Sequence, residues 1–224
     1  MRKTIIGIYG ASGFGKEVLP IVKEQFHKNI ANYEFVFIDD SIDQHELLNC
    51  KIMPFNTFLS LDSVDKYVVI AIAESKVREK LTDICVKSDL KLLNVRASNS
   101  VIMENVNIGE GHIISPFVTF TSDITIGLSF QANIYSYVAH DCIIGDYVTF
   151  APGVKCNGNI YIEDYAYIGT GAIIKQGKPG KPLVIGRSAI VGAGAVVTKS
   201  ISDGMTVFGN PAIEFTKENI KRRS

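Results

Sequence analysis

A histidine and an aspartate stand side by side at positions 140 and 141, inside the mostly apolar stretch YVAHDCIIGDY (137–147). A neutral imidazole accepts a proton near neutral pH, and a carboxylate beside it can hold its tautomer and stabilise the imidazolium. His140 and Asp141 are therefore a candidate general base and its orienting partner. A solvated or packing histidine, and an aspartate that only makes a turn, are the alternatives.

A second candidate site lies near the start of the chain, in GASGFG (10–15). The segment follows a short apolar run and precedes a helical pattern, so its backbone N–H groups and the helix dipole favour a phosphate. The spacing Gly-x-x-Gly-x-Gly differs from the dinucleotide-binding pattern and is a weak signal alone. We expect Gly10, Ser12 and Gly13 to contact a phosphate.

Polar residues that follow the next apolar runs belong to the same predicted edge. Asp39 and Asp40 come after FVFI (35–38), where ribose or base contacts are usual in such sheets, although they could also be plain turn residues. Ala73 and Lys76 follow VVIAIA (68–73) and are expected to border the same crevice.

Residues 1–97 alternate apolar runs with helical spacing, which predicts an α/β domain with a parallel, Rossmann-like sheet. Strands are expected at 5–9, 35–38 and 68–73, and helices at 16–27 and 75–87. This length accommodates one mononucleotide-sized half, so a nucleotide diphosphate sugar suits it better than NAD.

From residue 98 the pattern changes to a six-residue period. Uncharged, mainly apolar residues recur at every sixth position from Ile102 to Ile174, and the phase resumes at Ile185 after an insertion, QGKPGKPL. This is the hexapeptide signature of a parallel β-helix, in which three short strands form one coil. His140 lies two positions after the inward Val138, so it should face outward. Its side chain can meet Asp141 only if a coil corner bends the backbone between them.

The composition excludes several classes of protein. Lys plus Arg and Asp plus Glu are both 23, so no basic excess points to nucleic acid or an anionic membrane. No 18-residue apolar span suggests a membrane helix, and the first residues are predicted to form a buried strand rather than a signal peptide. The four cysteines form no CxxC pair and are expected to be reduced thiols.

Several segments occur here in the order found in one family: GASGFG, FIDD, AHDCIIGDY, APGVKCNGN and VGAGAVVTKSISDGMTVFGNPA. Over residues 4–212 the chain resembles the bacterial nucleotide-sugar N-acetyltransferases of the bacillosamine and perosamine type, and the related sialic acid O-acetyltransferases. The resemblance implies a left-handed β-helix, a cytoplasmic homotrimer, a nucleotide sugar in the N-terminal domain and acetyl-CoA along the β-helix between subunits. It places the catalytic base at His140.

The resemblance also assigns acetyl-CoA contacts. The Gly158 N–H would donate to the thioester oxyanion, although Gly158 could equally be a corner glycine. Thr170 and Gly192 would line the pantetheine track. Basic residues of the insertion and its flanks could meet the CoA phosphates or simply be solvated; they are Lys175, Lys178, Lys181 and Arg187.

Two positions depart from the family pattern. Many relatives carry a second histidine where this chain has Thr149, and a histidine in the first glycine loop where it has Phe14. A role of the second histidine is therefore absent here or filled by another group.

These observations predict three parts: a Rossmann-like nucleotide-sugar-binding domain (1–97), a left-handed β-helix acyltransferase domain (98–211) and a polar tail (212–224) that caps the β-helix. The predicted activity is acetyl-CoA-dependent N-acetylation of a 4-amino-4,6-dideoxy sugar on a nucleotide, with UDP favoured and no metal. The alternatives are O-acetylation of a sugar such as sialic acid, and a non-catalytic trimeric scaffold that binds nucleotide sugars.

Overall fold

The structure is a computed structural model that describes residues 3–41, 43–63 and 65–221. The chain divides into two compact units. The first comprises Met1–Ser98 with Glu110–Ile113, and the second comprises Asn99–Gly109 with Ile114–Ser224.

The first unit is built on a six-stranded sheet of order β3-β4-β2-β1-β5-β6. All neighbouring strands are parallel except the β3–β4 pair. In chain order the elements are β1 (Thr4–Tyr9), α1 (Gly13–Gln25), a 3₁₀ helix (His27–Asn32), β2 (Tyr33–Ile38), β3 (Glu46–Leu47), β4 (Cys50–Met53), α2 (Phe55–Ser60), β5 (Lys66–Ile70), α3 (Ser75–Lys87), β6 (Lys91–Leu92) and β7 (Val95–Arg96).

Two apolar clusters cover the two faces of this sheet, as a parallel sheet requires. On one face α1 contributes Val18 and Val22 against Ile6 of β1. On the other face Phe58 of α2 and Cys85 of α3 pack with further residues of the strands. The alternating pattern predicted this arrangement, but it did not reveal α2 or the β3–β4 pair, because these segments are short.

The glycine loop after β1 is tighter than the sequence suggested. Gly10 has a φ of 107°, a conformation that L side chains rarely adopt. A Cβ added at Gly15 would lie 2.0 Å from the Gly10 carbonyl oxygen. Helix α1 therefore begins at Gly13 rather than at the predicted Lys16, and two of the loop's glycines lie inside its first turn.

The second unit is a stack of short strands in three sheets, whose strands pair in parallel from coil to coil except for the last two strands of the chain, which pair antiparallel. Its elements are β8 (Val101–Ile102), β9 (Val106–Ile108), β10 (Ile113–Ile114, which spans the division between the units), β11 (Thr119–Phe120), β12 (Ile124–Ile126), β13 (Gln131–Ala132), β14 (Tyr137–Val138), β15 (Cys142–Ile144), β16 (Thr149–Phe150), β17 (Lys155–Cys156), β18 (Ile160–Ile162), β19 (Tyr167–Ile168), β20 (Ile173–Ile174), β21 (Leu183–Ile185), β22 (Ile190–Val191), β23 (Val196–Val197), β24 (Thr206–Phe208), β25 (Ile213–Glu214) and the helix α4 (Lys217–Lys221).

The six-residue period corresponds to the side chains that fill the centre of the stack. The anchors from Ile114 to Val197 are all buried, and they pack in one continuous apolar core. Residues 18 positions apart pair between coils, as Val138 does with Cys156. The insertion leaves this register intact: Ile162 pairs with Ile185, 23 positions later, and the extra residues form a loop closed by a bridge between Lys178 and Lys181.

The coil corners explain the recurring glycines and aspartates. At one corner the Asp146 carboxylate accepts a hydrogen bond from the Leu128 N–H (2.7 Å), and Asp164 accepts one from the Asp146 N–H (2.9 Å). A Cβ added at Gly127 or Gly145 would lie 2.1 or 2.2 Å from these carboxylate oxygens. These glycines are thus needed because a side chain of the next coil occupies the space.

The C-terminal residues continue the second unit. Strand β25 pairs antiparallel with β24, and the role of the tail as a cap of the β-helix stays a prediction. Residues 222–224 of the predicted tail lie outside the described part of the chain. No helix among the described residues has the length and apolarity needed to cross a membrane.

Candidate active site

His140 and Asp141 occupy the corner between β14 and β15. Asp141 adopts a left-handed backbone conformation (φ 57°), which turns its side chain toward that of His140. The His140 Nδ1 and an Asp141 carboxylate oxygen lie 2.6 Å apart, and both side chains are about half exposed (48% and 54%). The predicted bend is therefore present. A carboxylate can only accept, so Nδ1–H donates and Nε2 retains a free lone pair.

The imidazole of His140 packs against the backbone of Gly158, one coil further along the stack. A Cβ added at Gly158 would lie 2.6 Å from His140 Nε2 and 3.0 Å from Nδ1. The Asn159 N–H also donates to the His140 carbonyl oxygen at 3.0 Å. Gly158 is therefore needed to leave room for the ring, whatever else its N–H does.

A groove of about 400 Å³ runs beside Asp141 across the outer face of β9, β12, β15 and β18. Its lining combines carboxylates, amides and hydroxyls with one aromatic ring, which is a set of groups suited to a polar ligand. The lining residues are Asn105, Asn107, Asp123, Thr125, Asp141, Cys142, Ile143 and Tyr161.

The residues predicted to contact acetyl-CoA lie at two neighbouring corners. Gly158 and Lys175 share the His140 corner, because Cys156 pairs with Ile174 in the adjacent coil. Thr170 and Gly192 lie at the next corner, where the Gly194 N–H donates to the Thr170 carbonyl oxygen. The outer face of β14, β17 and β20 connects the two corners.

The basic residues that were candidates for contact with the CoA phosphates lie in two different environments. Lys178 and Lys181 are exposed on the inserted loop, and Lys175 is exposed directly before it. Arg187 instead pairs with Asp164 at 2.6 Å, and its guanidinium lies over the Tyr165 ring, 5.5 Å from the centroid. Arg187 is thus already engaged within its own unit.

In the first unit, the predicted phosphate and nucleotide contacts do converge. Gly10, Ser12 and Gly13 follow β1, while the other candidates follow β2 and β5, and these strands are adjacent and parallel. The Ser12 side chain makes no capping bond, and a Cβ at Gly13 would meet nothing within 4 Å, so the start of α1 is open. Lys76 pairs with Glu79 at an exposed position.

Asp39 and Asp40 also shape this loop region themselves. Asp39 accepts hydrogen bonds from the Ala11 N–H (3.1 Å) and from Ser41, while Asp40 accepts from the Tyr9 hydroxyl (2.5 Å) and the Phe55 N–H (2.9 Å). Burial alone would raise the pKa of Asp39, but the bonds from Ala11 and Ser41 hold it below its usual value. Burial, together with the hydrogen bond to Asp40, raises the pKa of Tyr9.

Ala73 belongs to a loop fixed by an unexpected residue. Arg78 of α3 is fully buried, and its guanidinium donates to the Ile72 and Ala73 carbonyl oxygens at 2.8 and 2.9 Å. The sequence showed Arg78 only as one charge in a helix, so this role could not be read from the pattern.

Known proteins match this chain along nearly its whole length. The PglD N-terminal domain family matches residues 5–84. GDP-perosamine N-acetyltransferase of Escherichia coli O157:H7 is 47% identical over 214 residues, which are 95% of this chain and 97% of the relative. The chain belongs to the bacterial nucleotide-sugar N-acetyltransferases of the left-handed β-helix class.

Solved structures agree with this membership. WeeI from Acinetobacter baumannii AYE is 57% identical with a TM-score of 0.93, and the match covers 95% of this chain and 100% of that one. The acetyltransferase domain of PglB from Neisseria gonorrhoeae FA1090, solved in complex with acetyl coenzyme A, is 26% identical with a TM-score of 0.83 and the same coverage. The Rossmann-like domain and the left-handed β-helix are thus confirmed, and the protein is an acyltransferase.

The two departures from the family pattern have simple structural counterparts in this acetyltransferase. Thr149 is buried in β16 (1% exposed), so its hydroxyl is not presented on the surface of the unit as a second base. Phe14 packs against the apolar cluster beneath α1.

Three further residues beside His140 were not singled out from the sequence. Tyr137 donates its hydroxyl to the Asn157 Oδ1 at 2.8 Å, and the Cys142 thiol donates to the Asn157 carbonyl oxygen at 3.2 Å. Asn157 directly precedes Gly158, so the segment KCNGN could have indicated it. The partners could not be predicted, since they lie in the preceding coil. No group of three or more His, Cys, Asp and Glu side chains in the described ranges is placed to hold a metal ion.

Proposed function

We propose that this enzyme transfers the acetyl group of acetyl-CoA to the amino group of a GDP-linked 4-amino-4,6-dideoxy sugar, with His140 as the general base. The observation that carries the proposal is the outward-facing His140–Asp141 pair, with 2.6 Å between Nδ1 and the carboxylate. GDP replaces the UDP favoured from the sequence, because the 47% identical relative is named for GDP-perosamine.

The chemistry follows from the free lone pair on His140 Nε2. The sugar nitrogen bonds to the thioester carbonyl carbon, whose oxygen becomes anionic, while Nε2 takes a proton from the nitrogen. Asp141 stabilises the imidazolium. When the intermediate collapses, the C–S bond breaks, and the departing CoA thiolate takes the proton from the imidazolium. The products are the acetamido sugar and free CoA.

The Gly158 N–H is the proposed donor to the oxyanion. It belongs to the backbone against which the imidazole packs, so a carbonyl placed beside Nε2 would lie near this peptide. The pantetheine arm would then cross from the His140 corner to the corner of Thr170 and Gly192, with the phosphates near Lys175. Resident acetyl-CoA in the related PglB domain supports this co-substrate.

The acceptor sugar is proposed to lie in the groove beside Asp141. Its amides and Thr125 hydroxyl can hydrogen-bond sugar hydroxyls, and Asp123 and Asp141 attract the ammonium form of the amine before it loses its proton. In the first unit, Gly10, Ser12 and Gly13 are proposed to hold the diphosphate, and Asp39, Asp40, Ala73 and Lys76 to border the nucleoside.

We also propose that the enzyme is a cytoplasmic homotrimer. The cytoplasmic location is proposed from the membership in the acetyltransferase family. The second unit carries exposed apolar side chains, such as the stacked Phe117 and Tyr135 (ring centroids 4.9 Å apart), which suit contact with further copies.

The decisive experiment measures thiol release from acetyl-CoA with GDP-, dTDP- and UDP-linked 4-amino sugars, for the wild type and His140→Ala. We expect turnover with the GDP sugar, an alkali-stable product heavier by one acetyl group, and a loss of about 10²-fold or more in the variant. An alkali-labile product from hydroxyl acceptors alone would establish O-acetylation instead. No turnover with any acceptor would favour the non-catalytic scaffold, and an unchanged rate in His140→Ala would remove the base from the mechanism.

A further inference from the structure

The peptide between Asn157 and Gly158 lies against the imidazole of His140. Gly158 is buried, yet across the described residues its N–H has no hydrogen-bond acceptor. Buried backbone N–H groups are nearly always paired, so an unpaired one beside a candidate base requires an explanation.

The rest of the same peptide is held on several sides. The Asn157 carbonyl oxygen accepts the Cys142 thiol at 3.2 Å. The Asn157 side chain accepts the Tyr137 hydroxyl at 2.8 Å and donates to the Ile174 carbonyl oxygen at 2.7 Å. These partners lie on strands of the coils before and after it, which are themselves fixed by the ladders.

We infer that Tyr137 and Cys142 are positioning residues that hold the Asn157–Gly158 peptide so that its N–H faces the developing oxyanion. This inference rests on the proposed function. The C=O and N–H groups of one peptide share a plane, so fixing the Asn157 carbonyl oxygen fixes the direction of the Gly158 N–H. A carbonyl that accepts a hydrogen bond also polarises the N–H of its own peptide, which strengthens it as a donor.

The inner cysteine pair extends the same chain of bonds. Cys156 is fully buried one coil beyond Val138, and a hydrogen bond to Cys142, together with burial, raises the pKa of the Cys156 thiol. Cys156 therefore keeps its proton, and its Sγ lies 3.9 Å from the Asn157 carbonyl oxygen, the same oxygen that accepts the Cys142 thiol at 3.2 Å. The Cys142 Sγ lies 3.2 Å from the Asn157 carbonyl oxygen and 3.6 Å from that of His140, so the Asn157 carbonyl is the nearer acceptor.

Steady-state kinetics of the full-length enzyme test this inference. We expect Tyr137→Phe and Cys142→Ala each to lower kcat by about tenfold with both KM values unchanged, because a misdirected donor weakens only the transition state. The double variant should lose little more than either single variant, since both act through one peptide. Cys142→Ser keeps a donor and should recover most of the rate.

Two matched variants separate positioning from general damage. Tyr167→Phe removes a hydroxyl from another outward tyrosine, and Val154→Ala truncates a buried side chain of the same coil as Asn157. Both should keep the wild-type kcat. A rise in KM with unchanged kcat in Tyr137→Phe would overturn the inference, because Tyr137 would then contact the substrate itself.

A second readout needs no substrate and so stays informative if the proposed acceptor is wrong. With ¹⁵N-glycine labelling, the chain gives signals from 19 glycines, and Gly158→Ala identifies the one from Gly158. We expect the Gly158 amide proton to shift upfield in Cys142→Ala and to stay in place in Val154→Ala. An unchanged Gly158 resonance in Cys142→Ala would contradict the inference, whereas a wild type that acetylates no amino sugar would contradict only the proposed function.

Discussion

At the scale of single residues, the site depends on backbone conformation as much as on side-chain type. Neighbouring residues of a strand point apart, yet the left-handed turn at Asp141 brings its carboxylate to 2.6 Å from His140 Nδ1. Asp and Asn tolerate this conformation better than other residues with a side chain. The aspartate therefore makes the corner and orients the imidazole at once.

Asp141→Asn separates these two tasks. Asparagine keeps the turn, but its amide can donate a hydrogen bond to Nδ1. Nδ1 is then unprotonated and Nε2 carries the proton, so Nε2 has no lone pair with which to act as the base. We expect kcat to fall by about 10²–10⁴-fold with the thermal midpoint nearly unchanged, measured by thiol release and by circular dichroism. Asp89→Asn is the control, because Asp89 also has a positive φ (55°) and lies outside the site. Equal kcat in the two variants would mean that Asp141 does not orient the base.

At the scale of elements, the glycine loop after β1 is governed by two close approaches. Its start requires the φ of Gly10, and its end requires the absence of a side chain at Gly15. The sequence predicted the strand, the loop and the helix, because the apolar runs have the right lengths. It placed the start of α1 three residues too late, since glycine's low helix propensity hides the contact that holds Gly13 and Gly15 in the helix.

A pair of alanine substitutions tests this account of the loop. In Gly15→Ala the new Cβ would lie 2.0 Å from the Gly10 carbonyl oxygen, so the backbone must move. We expect the thermal midpoint to fall by about 5 °C or more. In Gly13→Ala the new Cβ meets nothing within 4 Å, so the midpoint should stay within about 1 °C. Calorimetry measures both thermal midpoints, and similar midpoints for the two variants would refute the steric argument.

The Asp39 carboxylate makes the same loop sensitive to acid. Its pKa in the folded chain lies below the usual 3.8, because bonds from Ala11 and Ser41 outweigh burial. Its contribution to stability is therefore complete above the unfolded pKa and is lost as pH falls through the folded value. We expect the urea midpoint to drop between about pH 5 and pH 3, and to drop less in Asp39→Asn. Parallel curves for the two proteins would show that Asp39 does not contribute.

At the scale of the whole molecule, the sequence was most informative where the fold is most repetitive. The six-residue period located the inward side chains from Ile114 to Val197, because each coil imposes the same contact on the same position. The six-residue period did not predict the hydrogen bonds around Asn157. They join residues of successive coils whose side chains point outward, and outward positions follow no composition rule.

The proposed trimer is also a property of the whole molecule. We expect sedimentation to give three times the 24.5 kDa mass of the chain. Phe117→Ser with Tyr135→Ser should shift the mass toward one chain, because the exposed stacked pair would no longer be covered by another copy. Leu48→Ser changes a comparably exposed side chain of the first unit (50%) and should leave the mass unchanged. A wild type that sediments as a single chain would disprove the proposed assembly.

The constant register of the coils also makes the second unit a molecular ruler. Pairing repeats every 18 residues, so an insertion or deletion of one full coil keeps every inward residue inward. An insertion of any other length must form a loop outside the stack, as the extra residues between Ile162 and Ile185 do. Each coil advances the stack by about 4.8 Å. The distance from His140 to either end of the stack can therefore change only in steps of that size. Insertions and deletions of whole coils thus set, in discrete increments, the distance between the His140–Asp141 pair and any group bound at those ends.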